Sequence, residues 1–132
     1  MTDSKMIKLP ESELEVMQAI WALNEEGEKF VSAGLIMKRF PYLQRLKLTT
    51  VLTLITRLQT KGYIKTEKLG RSNCYIPIIS SEDYRIFASG DFVKKVYMND
   101  KIGLISALVN DDTLTADELK EIKALVEKIE SK

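Results

Sequence analysis

The chain has 132 residues, of which 45% are hydrophobic and 30% are charged, and its net charge is only +1. This size and balance predict one globular domain, or one small domain with an appendage, and exclude a disordered chain. The sequence holds one cysteine, Cys74, and no histidine. A zinc site of Cys and His ligands is therefore excluded, as is a Ser-His or Cys-His nucleophile. We expect neither an enzyme nor a bound metal or cofactor.

The sequence contains no apolar run as long as a membrane span, and the N-terminus lacks the apolar segment of a signal peptide. We therefore expect a cytoplasmic protein without membrane insertion. The charge is uneven along the chain, because residues 1–78 carry +4 and residues 79–132 carry −3. This division predicts two domains with different roles, 1–79 and 80–132.

The first part of the chain predicts two helices. The first begins after Pro10, where acidic residues suit a helix N-terminus, and it ends before Gly27. Ser32 is predicted to cap the second helix, and Pro41 to end it. We interpret 41–47 as a loop of undefined conformation.

A third helix, from about residue 49 to 61, has two contrasting faces on a helical wheel. One face is polar and rich in threonine, which is a mediocre helix former and an unusual choice for a merely solvated face. Hydroxyl groups can bond phosphates or base edges, and the threonine methyl can pack on a thymine methyl. The other face is apolar and predicted to lie in the core. The polar face comprises Thr49, Thr50, Thr53, Thr56, Arg57, Thr60 and Lys61, and the apolar face comprises Val51, Leu52, Leu54, Ile55 and Leu58.

After Gly62, two β-rich segments are predicted, Tyr63–Leu69 and Asn73–Ile78, joined by a turn at 70–72. The turn would project Arg71, flanked by Lys68, beyond the strands. The side chains predicted to face the core are Ile64, Ile76 and Cys74.

Residues 38–71 carry nine basic residues and one acid, a local charge of +8. Three helices followed by a hairpin with a basic tip form a winged helix-turn-helix, in which the third helix enters the major groove and the wing reaches the DNA backbone. A solvated basic face, or a winged helix that binds an acidic protein instead of DNA, remains the alternative. The predicted DNA contacts are Lys47, Thr49, Thr50, Thr53, Arg57, Lys61, Lys68 and Arg71.

The second part of the chain predicts three helices with more apolar surface than a monomer can cover. The first starts at Ser81, with Gly90 as a point where it kinks or breaks, and the last begins with a capping box at Thr115. We expect these helices to pair with a second copy of the chain, the alternative being that they pack on the first domain. The predicted dimerisation residues are Phe92, Val96, Ile102, Ile105, Leu108, Val109, Leu119, Ile122, Val126 and Ile129.

Several motifs resemble those of one family. The run Glu13–Trp21 resembles the first-helix signature of the BlaI/MecI/CopY penicillinase-repressor family, and Thr50–Leu58 with Lys61-Gly62 resembles its recognition helix. Gly70-Arg71 with Tyr75 resembles the wing of the family, and Leu114–Leu119 resembles the start of its last helix. The similarity extends from about Leu9 to the C-terminus.

The resemblance implies a bacterial transcriptional repressor that acts as a homodimer, with N-terminal winged helices and a C-terminal helical dimerisation domain. Such repressors bind a dyad-symmetric operator and block transcription of resistance genes. It also implies that Thr50, Thr53 and Arg57 lie at the DNA. The fold class that we predict is therefore mainly α with a small β-hairpin.

The chain also departs from the family pattern. Leu46 and Lys47 replace a usual Trp and Ser cap, and Leu52 replaces a frequent Gln, so the base preference is expected to differ. A C-terminal Cys-x-Cys pair is absent, which argues against copper sensing. In the β-lactam-responsive branch a membrane metalloprotease receptor leads to cleavage at Asn-Phe, and the matching position here is Ala107-Leu108.

Overall fold

The computed structural model describes residues 6–110 and 112–132. Over these ranges the chain forms six α-helices, a short 3₁₀ helix and one two-stranded antiparallel sheet. None of the described helices is both long and apolar enough to span a bilayer. The elements in chain order are α1 (Glu11–Glu25), α2 (Ala33–Arg39), the 3₁₀ helix (Pro41–Arg45), α3 (Leu48–Thr60), β1 (Ile64–Leu69), β2 (Ser72–Pro77), α4 (Ser81–Tyr97), α5 (Lys101–Val109) and α6 (Ala116–Glu130).

The ends of the first two helices follow from local sequence. Pro10 precedes the first residue of α1, and Gly27 takes a positive φ of 92° just after the end of that helix. Glycine adopts this conformation without the steric cost that a Cβ adds. At the start of α2, the Ser32 hydroxyl accepts a hydrogen bond from the Leu35 N–H at 3.1 Å. The predicted helix starts and the Ser32 cap are confirmed.

The segment after Pro41 is more regular than the sequence indicated, because it forms a 3₁₀ helix. Two bonds hold this helix on α1. The Tyr42 hydroxyl donates to the Glu15 carbonyl oxygen at 3.3 Å, and the Arg45 guanidinium pairs with the Glu15 carboxylate at 2.5 Å. Burial, and secondarily the Glu15 charge, raise the pKa of Tyr42 above its ordinary value.

The apolar face of α3 is narrower than predicted. Val51, Leu54, Ile55 and Leu58 are buried, as expected, but Leu52 is 38% exposed. The assignment of Leu52 to the core was therefore wrong. At 100° per residue Leu52 lies about 60° from Thr49, so it stands at the boundary of the apolar arc.

The hairpin has a tighter turn than the predicted one. Leu69 pairs with Ser72, which leaves only Gly70 and Arg71 in the loop. Gly70 has a φ of 64°, the positive value that a type II′ turn requires at its first central residue. Ile64 and Cys74 are buried, as predicted, whereas Ile76 is only half-buried.

The chain divides into two compact units between Ala88 and Ser89. In the first unit, aromatic residues tie the start of α4 to the core. The Trp21 indole N–H donates to the Ile79 carbonyl oxygen at 2.8 Å, and the ring centroids of Trp21 and Tyr84 are 5.7 Å apart. Tyr84 also lies 5.7 Å from the Tyr63 ring, and its hydroxyl accepts from the Leu9 N–H at 3.0 Å.

The second unit has well-formed helices but very little core. Helix α4 continues through Gly90 without a break. Asp100 caps α5, and Thr115 with Glu118 forms the predicted capping box of α6. Among the described residues of this unit, Val93 is the only hydrophobic residue whose side chain is buried.

Candidate nucleic-acid interface

The exposed face of α3 carries five threonines and one arginine. Sequence periodicity located this face correctly, because all six side chains are exposed. They form a band along the helix that is flanked on one side by the β-hairpin. The exposed members of the band are Thr49, Thr50, Thr53, Thr56, Arg57 and Thr60.

Three of the threonine hydroxyls are already used as donors within the helix. Thr53 donates to the Thr49 carbonyl oxygen, Thr56 to that of Leu52, and Thr60 to that of Thr56, each at 3.0 Å. Such bonds to residue i−4 occupy the hydroxyl hydrogen but leave oxygen lone pairs and the methyl group. To a binding partner, this part of the face therefore presents hydrogen-bond acceptors and apolar groups rather than hydrogen-bond donors.

Ion pairs neutralise part of the local charge of residues 38–71. Arg39, Arg45, Lys61 and Lys65 each lie within 4.0 Å of a carboxylate. Within the described ranges, the other five basic side chains have no acidic partner at that distance. Four of these five belong to the predicted DNA contacts, at the start of α3, on its exposed face and on the hairpin. The five unpaired cations are Lys38, Lys47, Arg57, Lys68 and Arg71.

Lys61 differs from the other predicted contacts. Its ammonium nitrogen lies 2.5 Å from the Glu13 carboxylate, and Glu13 is a buried side chain on α1. A buried carboxylate needs such a partner, because an unpaired buried charge is strongly destabilising. The pair joins α1 to the end of α3 and gives Lys61 a structural reason to be basic. Sequence reasoning missed this pair because the two residues are 48 positions apart.

The start of α3 has no side-chain cap. Lys47 occupies the N-cap position without a capping hydrogen bond, and the first turn contains no acid. By contrast, α2, α5 and α6 have capping side chains. The free backbone N–H groups and the positive end of the helix dipole favour an anion here, and Lys47 adds to that field.

A groove of about 250 Å³ separates α3 from the hairpin. The Thr66 hydroxyl donates to the Gln59 side-chain oxygen and so links β1 to α3. This bond acts together with the backbone bond from the Tyr75 N–H to the Val31 carbonyl oxygen, at 2.8 Å, to hold the hairpin beside α3. Nothing in the local sequence indicates the bond between Thr66 and Gln59, because Gln59 is an ordinary helix residue. The groove is lined by Leu52, Ile55, Thr56, Gln59, Thr66, Asn73 and Tyr75.

All ten predicted dimerisation residues are exposed in the single chain, with exposed fractions between 37% and 75%. Ala107 and Leu108 lie on α5 and are exposed as well. Neither α5 nor α6 contains a buried residue. The apolar side chains of these helices are therefore available to a partner.

Comparisons with known proteins agree on one family. The family model described as Penicillinase repressor matches residues 9–128. The methicillin resistance regulatory protein MecI of Staphylococcus aureus strain N315 is 29% identical over 126 residues, which cover 96% of this chain and 98% of MecI. The penicillinase repressor of Bacillus licheniformis is 25% identical over 123 residues, covering 93% of this chain and 92% of the relative.

Among solved structures, the DNA-binding domain of the repressor BlaI matches with a TM-score of 0.48 and 28% identity, covering 60% of this chain and 90% of that domain. The family model spans nearly the whole chain, and both the first-helix and the recognition-helix motifs fall inside it. The expected resemblance is confirmed, as is the mainly helical fold with a small hairpin. The chain belongs to the penicillinase repressor family, whose members are DNA-binding transcriptional repressors of bacteria and not enzymes.

Proposed function

We propose that this chain represses transcription as a homodimer that binds a dyad-symmetric operator, with one winged helix on each half-site. The observation that carries the proposal is the coincidence of two features on one surface. The exposed threonine face of α3 lies among four cations that have no ion-pair partner within the described ranges, namely Lys47, Arg57, Lys68 and Arg71. A surface of this kind suits double-stranded DNA, a polyanion whose grooves present base edges.

On the DNA, α3 enters the major groove and the hairpin lies along the backbone. Thr49, Thr50 and Thr53 occupy the N-terminal turns of α3, the part of a recognition helix that contacts base edges. Arg57 and the hairpin cations contact phosphates. Lys47 and the uncapped N–H groups of α3 contribute a further phosphate site. Lys61 is left out of this interface because its charge is balanced by Glu13.

The second unit supports the homodimer. Its helices leave hydrophobic side chains exposed on α5 and α6, and only Val93 is buried among its described residues. Pairing two copies gives these side chains the core that one copy lacks, and a two-fold axis matches the symmetry of a palindromic operator. Residues 89–132, which form this unit, hold seven basic and nine acidic residues, and their net charge of −2 disfavours contact of this unit with DNA.

We infer that the regulated genes are of the resistance type, because MecI is by its name a methicillin resistance regulatory protein. The repressor acts in the cytoplasm, where the operator is. Ala107-Leu108 replaces the Asn-Phe pair at the candidate cleavage position, so release through a membrane metalloprotease receptor would require cleavage at a residue pair that differs from the one the family uses. Both residues lie within α5, so the helix has to unwind locally before a protease can bind it as an extended segment.

Titration of fluorescent random-sequence duplex DNA with the full chain, at 50 mM and 200 mM salt, tests the proposal. A DNA-binding protein that makes several phosphate contacts loses affinity for DNA steeply between these two salt concentrations. Sedimentation equilibrium on the same sample gives the subunit number. Absence of duplex binding at 50 mM salt would favour a module that binds an acidic protein, and a monomer at micromolar concentration would exclude the two-fold arrangement.

A further inference from the structure

One large apolar side chain lies next to the threonines on the exposed face of α3. Leu52 is 38% exposed, although sequence periodicity assigned it to the core. At 100° per residue it lies about 40° from Thr56 and about 60° from Thr49 around the helix axis. It belongs to the two N-terminal turns of α3, where a recognition helix contacts bases.

The chemistry around Leu52 limits what it can recognise. Thr53 and Thr56 have already used their hydroxyl hydrogens within the helix, and the acceptor for Thr56 is the carbonyl oxygen of Leu52 itself. This part of the face therefore offers methyl groups and few donors. In the major groove the C5-methyl of thymine is the apolar group that a base pair presents.

We propose that Leu52 packs on the C5-methyl of a thymine in each half-site and is a specificity-determining residue. The inference rests on the proposed function, because it requires α3 to lie in the major groove. A purely structural role is the competing explanation, since Leu52 also lines the groove between α3 and the hairpin with Ile55 and Tyr75. The two roles predict different responses to the loss of one methyl group from the DNA.

The test uses the full chain and a binding site obtained from a random duplex library by in vitro selection. Each thymine of the selected site is then replaced, one at a time, by deoxyuridine, which lacks the methyl but keeps the same hydrogen-bonding edge. Burial of one methyl corresponds to about a fourfold change in affinity. We expect the unaltered protein to lose about fourfold at one thymine in each half-site, and Leu52→Ala to lose nothing at that thymine.

Leu48→Ala is the matched control. Leu48 is also an exposed leucine of α3, but it lies about 100° from Thr49 around the axis, at the edge of the face. This variant should keep the fourfold dependence on the methyl group. Leu52→Gln, whose side chain is one bond longer and ends in a polar amide, should lose the dependence on the methyl group. It replaces Leu52→Ala if circular dichroism shows that variant to be unfolded.

Two outcomes would overturn the inference and leave the proposed function intact. One is DNA binding in which no thymine-to-deoxyuridine change matters. The other is a Leu52→Ala variant whose affinity falls by the same factor on every probe. Such a variant would still lose about fourfold when the thymine methyl is removed, as a packing role predicts. Failure to enrich any duplex would instead remove both the inference and the function on which it rests.

Discussion

The two units of this chain differ in how they bury their hydrophobic residues. The first unit has a continuous core in which Val16, Ile20, Leu43 and Leu58 are fully buried. In the second unit, Val93 is the buried hydrophobic residue among those described, and α5 and α6 bury none. The helices of both units are nevertheless regular and mostly well capped. Helix formation and core formation are therefore separate properties, and the second unit has only the former.

This contrast bears on what stabilises each unit. Most of the stability of a helix in a protein comes from packing its apolar face rather than from intrinsic propensity. The first unit supplies that packing itself, so its stability should not depend on protein concentration. The second unit lacks that packing in the single chain, and in the proposed homodimer a second copy of the chain supplies it.

The largest effect is expected from a cavity in the first unit. Leu58→Ala should lower the free energy of unfolding of this unit by about 2–5 kcal/mol, because Leu58 is fully buried. Urea unfolding followed by circular dichroism at two protein concentrations measures the loss, which should be the same at both. Leu69→Ala, an exposed leucine at the end of β1, should cost less than about 0.5 kcal/mol. A concentration-dependent loss for Leu58→Ala would contradict the self-sufficiency of the first unit.

A charge on the apolar face of α6 should break the second unit without affecting the first. Val126→Lys should weaken the dimer by about 2 kcal/mol, or about thirtyfold, because the ammonium loses water in the interface. Sedimentation equilibrium measures the change. Ala124→Lys places the same charge about 160° away around the helix axis and is the matched control. Equal dimer constants for the two variants would argue against this face as the interface.

Removal of the Lys61 charge should affect stability and not DNA binding. Lys61→Met leaves the buried Glu13 carboxylate without its partner, and we expect a loss of about 1–3 kcal/mol in the free energy of unfolding, because Lys61 itself is partly exposed. The salt dependence of duplex binding should stay unchanged, since this cation is already neutralised. A decrease of that slope by about one would show that Lys61 contacts a phosphate and that the ion pair opens on DNA.

The tip of the hairpin should contribute a single phosphate contact. Arg71→Ala is expected to cost about 1 kcal/mol on every sequence and to lower the salt slope by about one. Lys65→Ala is the matched control on β1, because Lys65 already lies 3.6 Å from the Glu67 carboxylate. Titrations at four salt concentrations give both slopes. If the two variants have the same slope, the hairpin tip does not contact the backbone.

The smallest effect is expected from a single hydroxyl on α3. Thr53→Val keeps the methyl but removes the oxygen acceptor, so affinities for operator variants should change unequally, by about threefold to fivefold at one base pair. Thr60→Val removes an equivalent hydroxyl near the end of α3 and should leave the preference unchanged. Binding of both variants to a panel of single-base substitutions is the measurement. Uniform losses for Thr53→Val would indicate that this hydroxyl reads no base.

Much of the first unit could be predicted from local sequence. Ser32, Gly62 and Gly70 have short-range roles in a cap, a helix end and a turn, and each is where the sequence indicated. The threonine face of α3 followed from periodicity alone. Leu52 was misassigned because a helical wheel gives only an angle around the helix axis. It does not give the position of the neighbouring hairpin, which leaves the Leu52 side chain partly exposed to solvent.

The sequence by itself determined the helices, the hairpin, the basic segment and the family, because caps, turns and periodic faces depend on residues a few positions apart. Only the tertiary structure decided which cations are available. It paired Lys61 with Glu13 and Arg45 with Glu15 across 48 and 30 positions, and it gave Lys47, Arg57 and Arg71 no acidic partner among the residues that the structure describes. Charge counted along a chain does not reveal neutralisation, because an ion pair depends on distance in space, and folding sets that distance.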